Sequence, residues 1–172
     1  MKNPSLLPDC GWPAVAALLC GLLLTACGEP ARRLQAGDPA PHFKVATLDG
    51  RVLDFPADLA GKVVAVRFWA DWCRFCKDEM NDIEPVYQQY QDQGMEVVAI
   101  NVGQSRKVAQ RFVDNLNTSY TIGLDEDSVA ARSYGVIGLP TTFFIDRDGK
   151  VQSKILGESE VETFTRATRD LL

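Results

Sequence analysis

Histidine occurs once in the 172 residues, as His42, and Cys73-Arg74-Phe75-Cys76 is the only close pair among five cysteines. A lone His beside Pro41 has no ligand-like spacing, and no second Cys-x-x-Cys completes a structural zinc site; no metal is therefore expected. The Cys-x-x-x-Cys spacing of exported copper chaperones is missing as well. Basic charge is in deficit, 18 Lys plus Arg against 23 Asp plus Glu, a formal net charge of -5. Such a balance argues against a phosphate-backbone partner, and no nucleic-acid binding is expected. No apolar run reaches the roughly 20 residues that cross a bilayer comfortably. Internal repeats and low-complexity tracts are also missing. With 46% hydrophobic and 24% charged residues, the length suits a single domain with an ordinary core and excludes disorder and a polytopic membrane protein.

What is present begins with an unusual N-terminus. Apart from Lys2 and Asp9 the first 26 residues carry no charge, and Trp12 to Ala26 is almost continuously apolar. This is a signal-peptide profile, with a permanent transmembrane helix as the alternative. Leu24-Thr25-Ala26-Cys27 resembles the lipobox of bacterial lipoproteins, which implies acylation of Cys27 and anchoring to a membrane; an ordinary signal peptide with a chance Cys is the other reading. The expected division is a signal peptide at 1–26, a tether at 27–36 and a folded domain at 37–172. Cys10 and Cys20 would leave with the signal, so Cys73 and Cys76 would remain as the thiols. One close pair in an exported chain points to redox exchange or metal, not to a disulfide framework.

From about Leu34 strand-like and helix-like segments alternate at short spacing, the pattern of one α/β domain. Phe43 to Leu48 and Arg51 to Phe55 flank Asp49-Gly50, a strong hairpin signal. Val63 to Trp69 reads as a buried central strand interrupted by Arg67. After it, Met80, Ile83, Val86, Tyr87 and Tyr90 recur at helical spacing, so the cysteines fall at a helix N-terminus, and Pro85 is expected to kink that helix near Asn81. Met95 to Val102 is the next strand, and Val108, Phe112, Val113 and Leu116 form the apolar face of a helix. A short strand near Tyr120 to Gly123 leads to a helix around Asp127 to Tyr134. Thr142 to Ile145 and Val151 to Leu156 form a second hairpin. The last helix opens with Ser159 and Glu162 in capping-box spacing and buries Val161, Phe164, Ala167 and Leu171. The architecture expected is a mixed sheet with helices on both faces.

A Cys-x-x-Cys at the start of a helix has a specific chemistry. The unpaired amides and the helix dipole stabilise a thiolate on Cys73, the nucleophile of disulfide exchange, and Arg74 adds positive charge. Cys76, one turn further in, is placed to resolve the mixed disulfide.

Gly37-Asp38-Pro39-Ala40-Pro41-His42-Phe43, Val66 through Cys76, and Gly138-Leu139-Pro140-Thr141-Thr142-Phe143 together resemble the TlpA/ResA branch of thioredoxin-like proteins. The resemblance implies a thioredoxin-like fold with an N-terminal β-hairpin and an inserted helix and strand between about Gly103 and Asp125. It implies that Cys73 attacks, Cys76 resolves, Trp72 shields the site, and Leu139 with a cis Pro140 presents backbone to an extended substrate segment. Glu79 matches an acid placed near the pair. Three residues after Cys76 it shares a helix face and could shuttle the Cys76 proton; a solvated surface acid is the alternative.

Three positions depart from the branch. Arg74-Phe75 stands where Pro usually precedes the second cysteine, Asn81 stands where many relatives place the kinking Pro, and Arg67 lies six before Cys73, where thioredoxins carry a buried acid. Arg67 either reaches Glu79 or snorkels to water. Ala70, three before Cys73, lacks the hydroxyl that peroxiredoxin chemistry needs.

The expectation is a membrane-anchored thiol-disulfide oxidoreductase of the bacterial cell envelope, facing the periplasm or extracytoplasmic space. It would reduce exported disulfide-bearing proteins, with cytochrome c maturation one setting, using its cysteine pair without a cofactor. The resemblance implies recharging by a membrane electron donor of the DsbD or CcdA kind, and a monomer is expected. A dithiol oxidant is the alternative within the class; a non-catalytic thiol metallochaperone or binding lipoprotein is the alternative outside it.

Overall fold

The computed structural model describes residues 33–172; the expected signal peptide, the Cys27 anchor and most of the tether lie outside the described residues. Seven strands form one sheet: β1 (Phe43–Thr47), β2 (Val52–Phe55), β3 (Val63–Trp69), β4 (Met95–Val102), β5 (Thr121–Asp125), β6 (Thr141–Ile145) and β7 (Val151–Leu156). Their spatial order is β2-β1-β5-β4-β3-β6-β7. The pairs β3/β4 and β4/β5 are parallel, and the other four pairs are antiparallel, so the sheet is mixed. The four helices are α1 (Cys76–Tyr90), α2 (Arg106–Val113), α3 (Val129–Ser133) and α4 (Val161–Arg169). This is a thioredoxin-like α/β fold, with the hairpin β1–β2 at the N-terminus and α2–β5 as the inserted unit.

All seven residues of β3 are buried, as expected for a central strand covered on both faces. Alternation sends Val64, Val66 and Phe68 into one apolar cluster with Ala130, Ala131 and Tyr134 of the α3 region. Ala65 and Trp69 enter the other, with Met80, Ile83 and Val86 of α1 and Phe164 of α4. Arg67 shares the parity of Ala65 and Trp69, so its side chain is directed toward the face that α1 covers.

Two local expectations are corrected. Ser159 does not cap α4: the residue before the helix is Glu160, no side chain caps it, and the Ser159 amide instead donates to Glu79. The tertiary carboxylate wins over the local capping box because it offers a charged acceptor where Ser159 meets α1. The helix at 127–134 is shorter than expected, Val129–Ser133, because Asp125 at the end of β5 accepts from the amides of Ala130 and Ala131 and so caps it from the strand. In α1 the helix runs through Pro85, and the Met80 carbonyl, in the turn before it, accepts the Tyr120 hydroxyl at 2.8 Å. Burial pushes that phenol far above its ordinary pKa, which keeps it a donor.

The insertion is tied down by Arg106, which donates to the carbonyls of Leu48 and Thr47 at the end of β1. Where β5 lies between β1 and β4, a Cβ on Gly123 would lie 2.7 Å from Ile100 Cδ1 and 3.0 Å from Val45 Cγ2. Overpacking of this kind costs about 1–3 kcal/mol. Gly123→Ala should therefore lower the urea midpoint with an unchanged slope, and an unaltered midpoint would show that the two side chains give way freely.

The β6–β7 turn is held by Asp146, which accepts from the amides of Asp148 and Lys150 and from the Gln152 side chain. Burial pushes this carboxyl up, but those donors together hold it below the usual range. A lowered folded value means that its contribution is complete above the ordinary carboxylate pKa and is lost as pH falls through the folded one. Asp146→Asn should accordingly destabilise the protein more at pH 7 than near pH 2 in paired denaturation curves.

Candidate active site

Strand β3 delivers the chain to the redox loop at its C-terminal end, where parallel α/β sheets place their sites. A disulfide joins Cys73 and Cys76, with Cα atoms 5.4 Å apart. The two sulfur residues differ in access: Cys73 is 6% exposed and Cys76 is fully buried. A partner thiolate can therefore reach only the Cys73 side. Cys76 opens α1, its amide donating to the Cys73 carbonyl, so Cys73 stands just ahead of the helix's positive end. Arg74 stacks over the Phe75 ring at 5.4 Å, which keeps a cation in the loop between the cysteines.

Register places the Pro140 loop beside this pair. Phe68 of β3 faces Thr141 of β6, so Pro140 lies opposite the end of β3. The Leu139–Pro140 bond is cis, as the resemblance implies, and so is Phe55–Pro56, which no motif signalled. Leu139 packs against both apolar clusters. Trp72 is 69% exposed, so its ring stands out into solvent beside Cys73 more than it covers the loop.

Glu79 is not a solvated surface acid. It is buried, and its carboxylate accepts from Arg67 Nη2 at 2.5 Å and from the Ser159 amide at 2.9 Å. Arg67 in turn donates from Nη1 to the Thr142 hydroxyl at 3.0 Å. One guanidinium thus joins β3, β6 and α1, and the carboxylate extends the network to the start of α4. A cavity of about 10 Å³, enough for about one water, adjoins the pair between Asp82 and Ser159. The Arg67–Glu79 pairing settles the choice between pairing and snorkelling.

Sequence reasoning missed a second device. The Asp71 amide donates to Gln104 Oε1, and Gln104 Nε2 donates back to the Asp71 carboxylate. Asn101, buried in β4, donates a second hydrogen bond to the same Gln104 oxygen. This clasp fixes the loop two residues before Cys73. No short-range signal announces it, because its halves are 33 residues apart. His42 lies away from the site on the N-terminal hairpin, bonded to Asp54. Among the described residues no group of three or more His, Cys, Asp or Glu side chains is placed to hold a metal ion.

The AhpC/TSA family matches residues 36–154. The chain is 35% identical over 130 residues to the thiol-disulfide oxidoreductase ResA of Bacillus thuringiensis, covering 76% of this chain and 75% of that protein. Among solved structures it is similar to a Chlorobium tepidum chain assigned as a thiol:disulfide interchange protein DsbE, with a TM-score of 0.76, 31% identity and coverage of 80% and 98%. It is also similar to a secreted Mycobacterium tuberculosis disulfide oxidoreductase homologous to Escherichia coli DsbE, with a TM-score of 0.67, 26% identity and coverage of 75% and 96%.

Removing one member of a buried ion pair leaves the other charge unmatched and costs about 3–5 kcal/mol. Arg67→Met and Glu79→Gln should each destabilise on that scale, and the double variant by clearly less than their sum. Additive losses in a double-mutant cycle would mean that the pair contributes no coupling.

Proposed function

Because this chain belongs to the AhpC/TSA family and is a thiol-disulfide oxidoreductase, we propose that it works as a reductase of disulfides in exported client proteins, held at the membrane through Cys27. The observation that carries the reading is the unequal burial of the two cysteines at the start of α1. In the reduced protein the Cys73 thiolate attacks a client disulfide, and one client sulfur leaves as a thiolate. Cys76 then loses its proton and attacks the Cys73 sulfur, the second client thiolate is released, and the Cys73–Cys76 disulfide forms. Two electrons have passed to the client. Glu79, on the same buried face of α1 as Cys76, takes up the Cys76 proton. Trp72, Leu139 and Pro140 receive the client segment.

An exported protein in an oxidising compartment needs a source of electrons, and a membrane-embedded dithiol donor of the DsbD or CcdA kind fills that role. The secreted relative is consistent with an extracytoplasmic site of action. Among the described residues no helix is long and apolar enough to cross a membrane; the lipobox-like Leu24-Thr25-Ala26-Cys27 supports anchoring through an acylated Cys27. Apocytochrome c, with its paired cysteines, is a fitting client. An apolar Leu139 ahead of the proline supports reduction over oxidation.

Titrating the Cys73/Cys76 pair in glutathione or dithiothreitol buffers tests the direction. A potential near thioredoxin's roughly −270 mV or lower is expected; a value near DsbA's roughly −120 mV would recast the protein as an oxidant, with Arg74 stabilising its thiolate. Cys73→Ser should reduce insulin disulfides no faster than the uncatalysed rate. Cys76→Ser should accumulate a client adduct visible by mass, and the absence of that adduct would remove Cys76 from the resolving role.

A further inference from the structure

Beside the active-site end of the sheet lies a groove of about 350 Å³ that the redox chemistry does not use. Ile137 and Leu156, 87% and 57% exposed, stand along it, and Phe143 contributes to its wall. Among the described residues its charged lining is Arg33, Arg132 and Lys154, with no carboxylate. On a chain of net charge -5 this is a local reversal of sign. Lys154 holds its ammonium 6.0 Å from the centre of the Phe143 ring, so the cation sits over the apolar wall.

One border of the groove is a strand edge. The Gly157 amide donates to the Pro140 carbonyl, which sets the phase of the β6–β7 ladder. Hydrogen-bonded and non-bonded pairs alternate in antiparallel sheets. The facing pairs Thr142–Ile155 and Phe144–Ser153 therefore exchange bonds, while the backbone groups of Lys154 and Leu156 are directed outward. The segment from Gly37 to Ala40 pairs with the first part of this edge, through Gly37 to Val151 and Ala40 to Gly149. It does not reach Lys154 or Leu156. Leu156 faces Thr141, next to Pro140, so the edge that the described residues leave unpaired begins beside the Pro140 loop.

We propose that this groove binds the client segment flanking the reactive cysteine, as a strand added to β7, and that it selects segments carrying a carboxylate and an apolar side chain. The inference rests on the disulfide-reductase reading and names the client chemistry. Main-chain pairing along an open edge supplies affinity, and alternate side chains supply choice. β7 lies two strands from β3, about 10 Å at the usual strand spacing, and an extended chain advances about 3.3 Å per residue. The selected carboxylate therefore lies about three to six residues from the client cysteine.

The test compares single-turnover rates of the full, reduced chain with two matched peptide disulfides, one carrying Asp and Leu at those positions and one Asn and Leu, with glutathione disulfide as a third substrate. At low salt the acidic peptide should react about five-fold faster or more, and the advantage should fade near 1 M salt, where the Debye length is about 3 Å. The double charge reversal Arg132→Glu, Lys154→Glu should invert the order of the two peptides. Equal peptide rates at low salt alongside reduction of glutathione disulfide overturn the groove proposal and leave the reductase reading standing. Failure to reduce any of the three disulfides overturns both. A dimer in sedimentation that the double reversal dissolves also overturns the proposal, since it gives the edge to a second copy of the chain.

Discussion

A cation inside a strand buried on both faces is the constraint around which the middle of this protein is arranged. Arg67 is 2% exposed, and the several kcal/mol needed to take its charge out of water must be offset by partners at close range. Those partners come from the neighbouring strand and from the helices on one face of the sheet: Thr142 from β6, Glu79 from α1, and, through Glu79, the Ser159 amide before α4. Helix α1 cannot slide along β3 without breaking the pair. The register of the helix that begins with Cys76 is thereby coupled to the strand that leads to Cys73.

The redox loop inherits that rigidity from two sides. Glu79 holds α1 one turn below the buried Cys76, while the reciprocal hydrogen bonds of Asp71 and Gln104 hold the approach to Cys73. Between these supports the cysteines take unequal positions, one reachable and one enclosed. That inequality makes exchange ordered: a partner enters and leaves through Cys73, and the internal thiol closes the cycle. Around the entrance Trp72, Arg74 and Phe75 are exposed, and a cationic groove lies at the β7 edge. Asp71 and Asp78, both exposed, are the acids that flank the cysteine pair.

Much of this was readable beforehand. The boundaries of β3 and β4 follow from their apolar, β-branched runs, and both hairpins follow from Asp-Gly turns between strand-like segments. The cysteine pair at a helix start is a local pattern, so its placement was equally legible. Local patterns failed where a distant group offered a stronger bond. Ser159 and Glu162 have capping-box spacing, yet the Ser159 amide turns to Glu79, 80 residues away. The helix after β5 is shortened because Asp125, still in the strand, caps it.

The sequence alone therefore determined the order of elements and the identity of the reactive pair, because each depends on neighbours within a few residues, while three separated motifs carried the resemblance that implied the thioredoxin-like class. It also restricted Arg67 to two fates, pairing or reaching water. Only the tertiary structure decided between them, since the outcome depends on which helix face meets the sheet and on what closes over it from α4. The Asp71–Gln104 clasp and the cationic groove at the β7 edge were likewise decided there. Their residues are scattered along the chain and become neighbours only when sheet order, strand register and the α3–β6 loop bring them to one end of the fold.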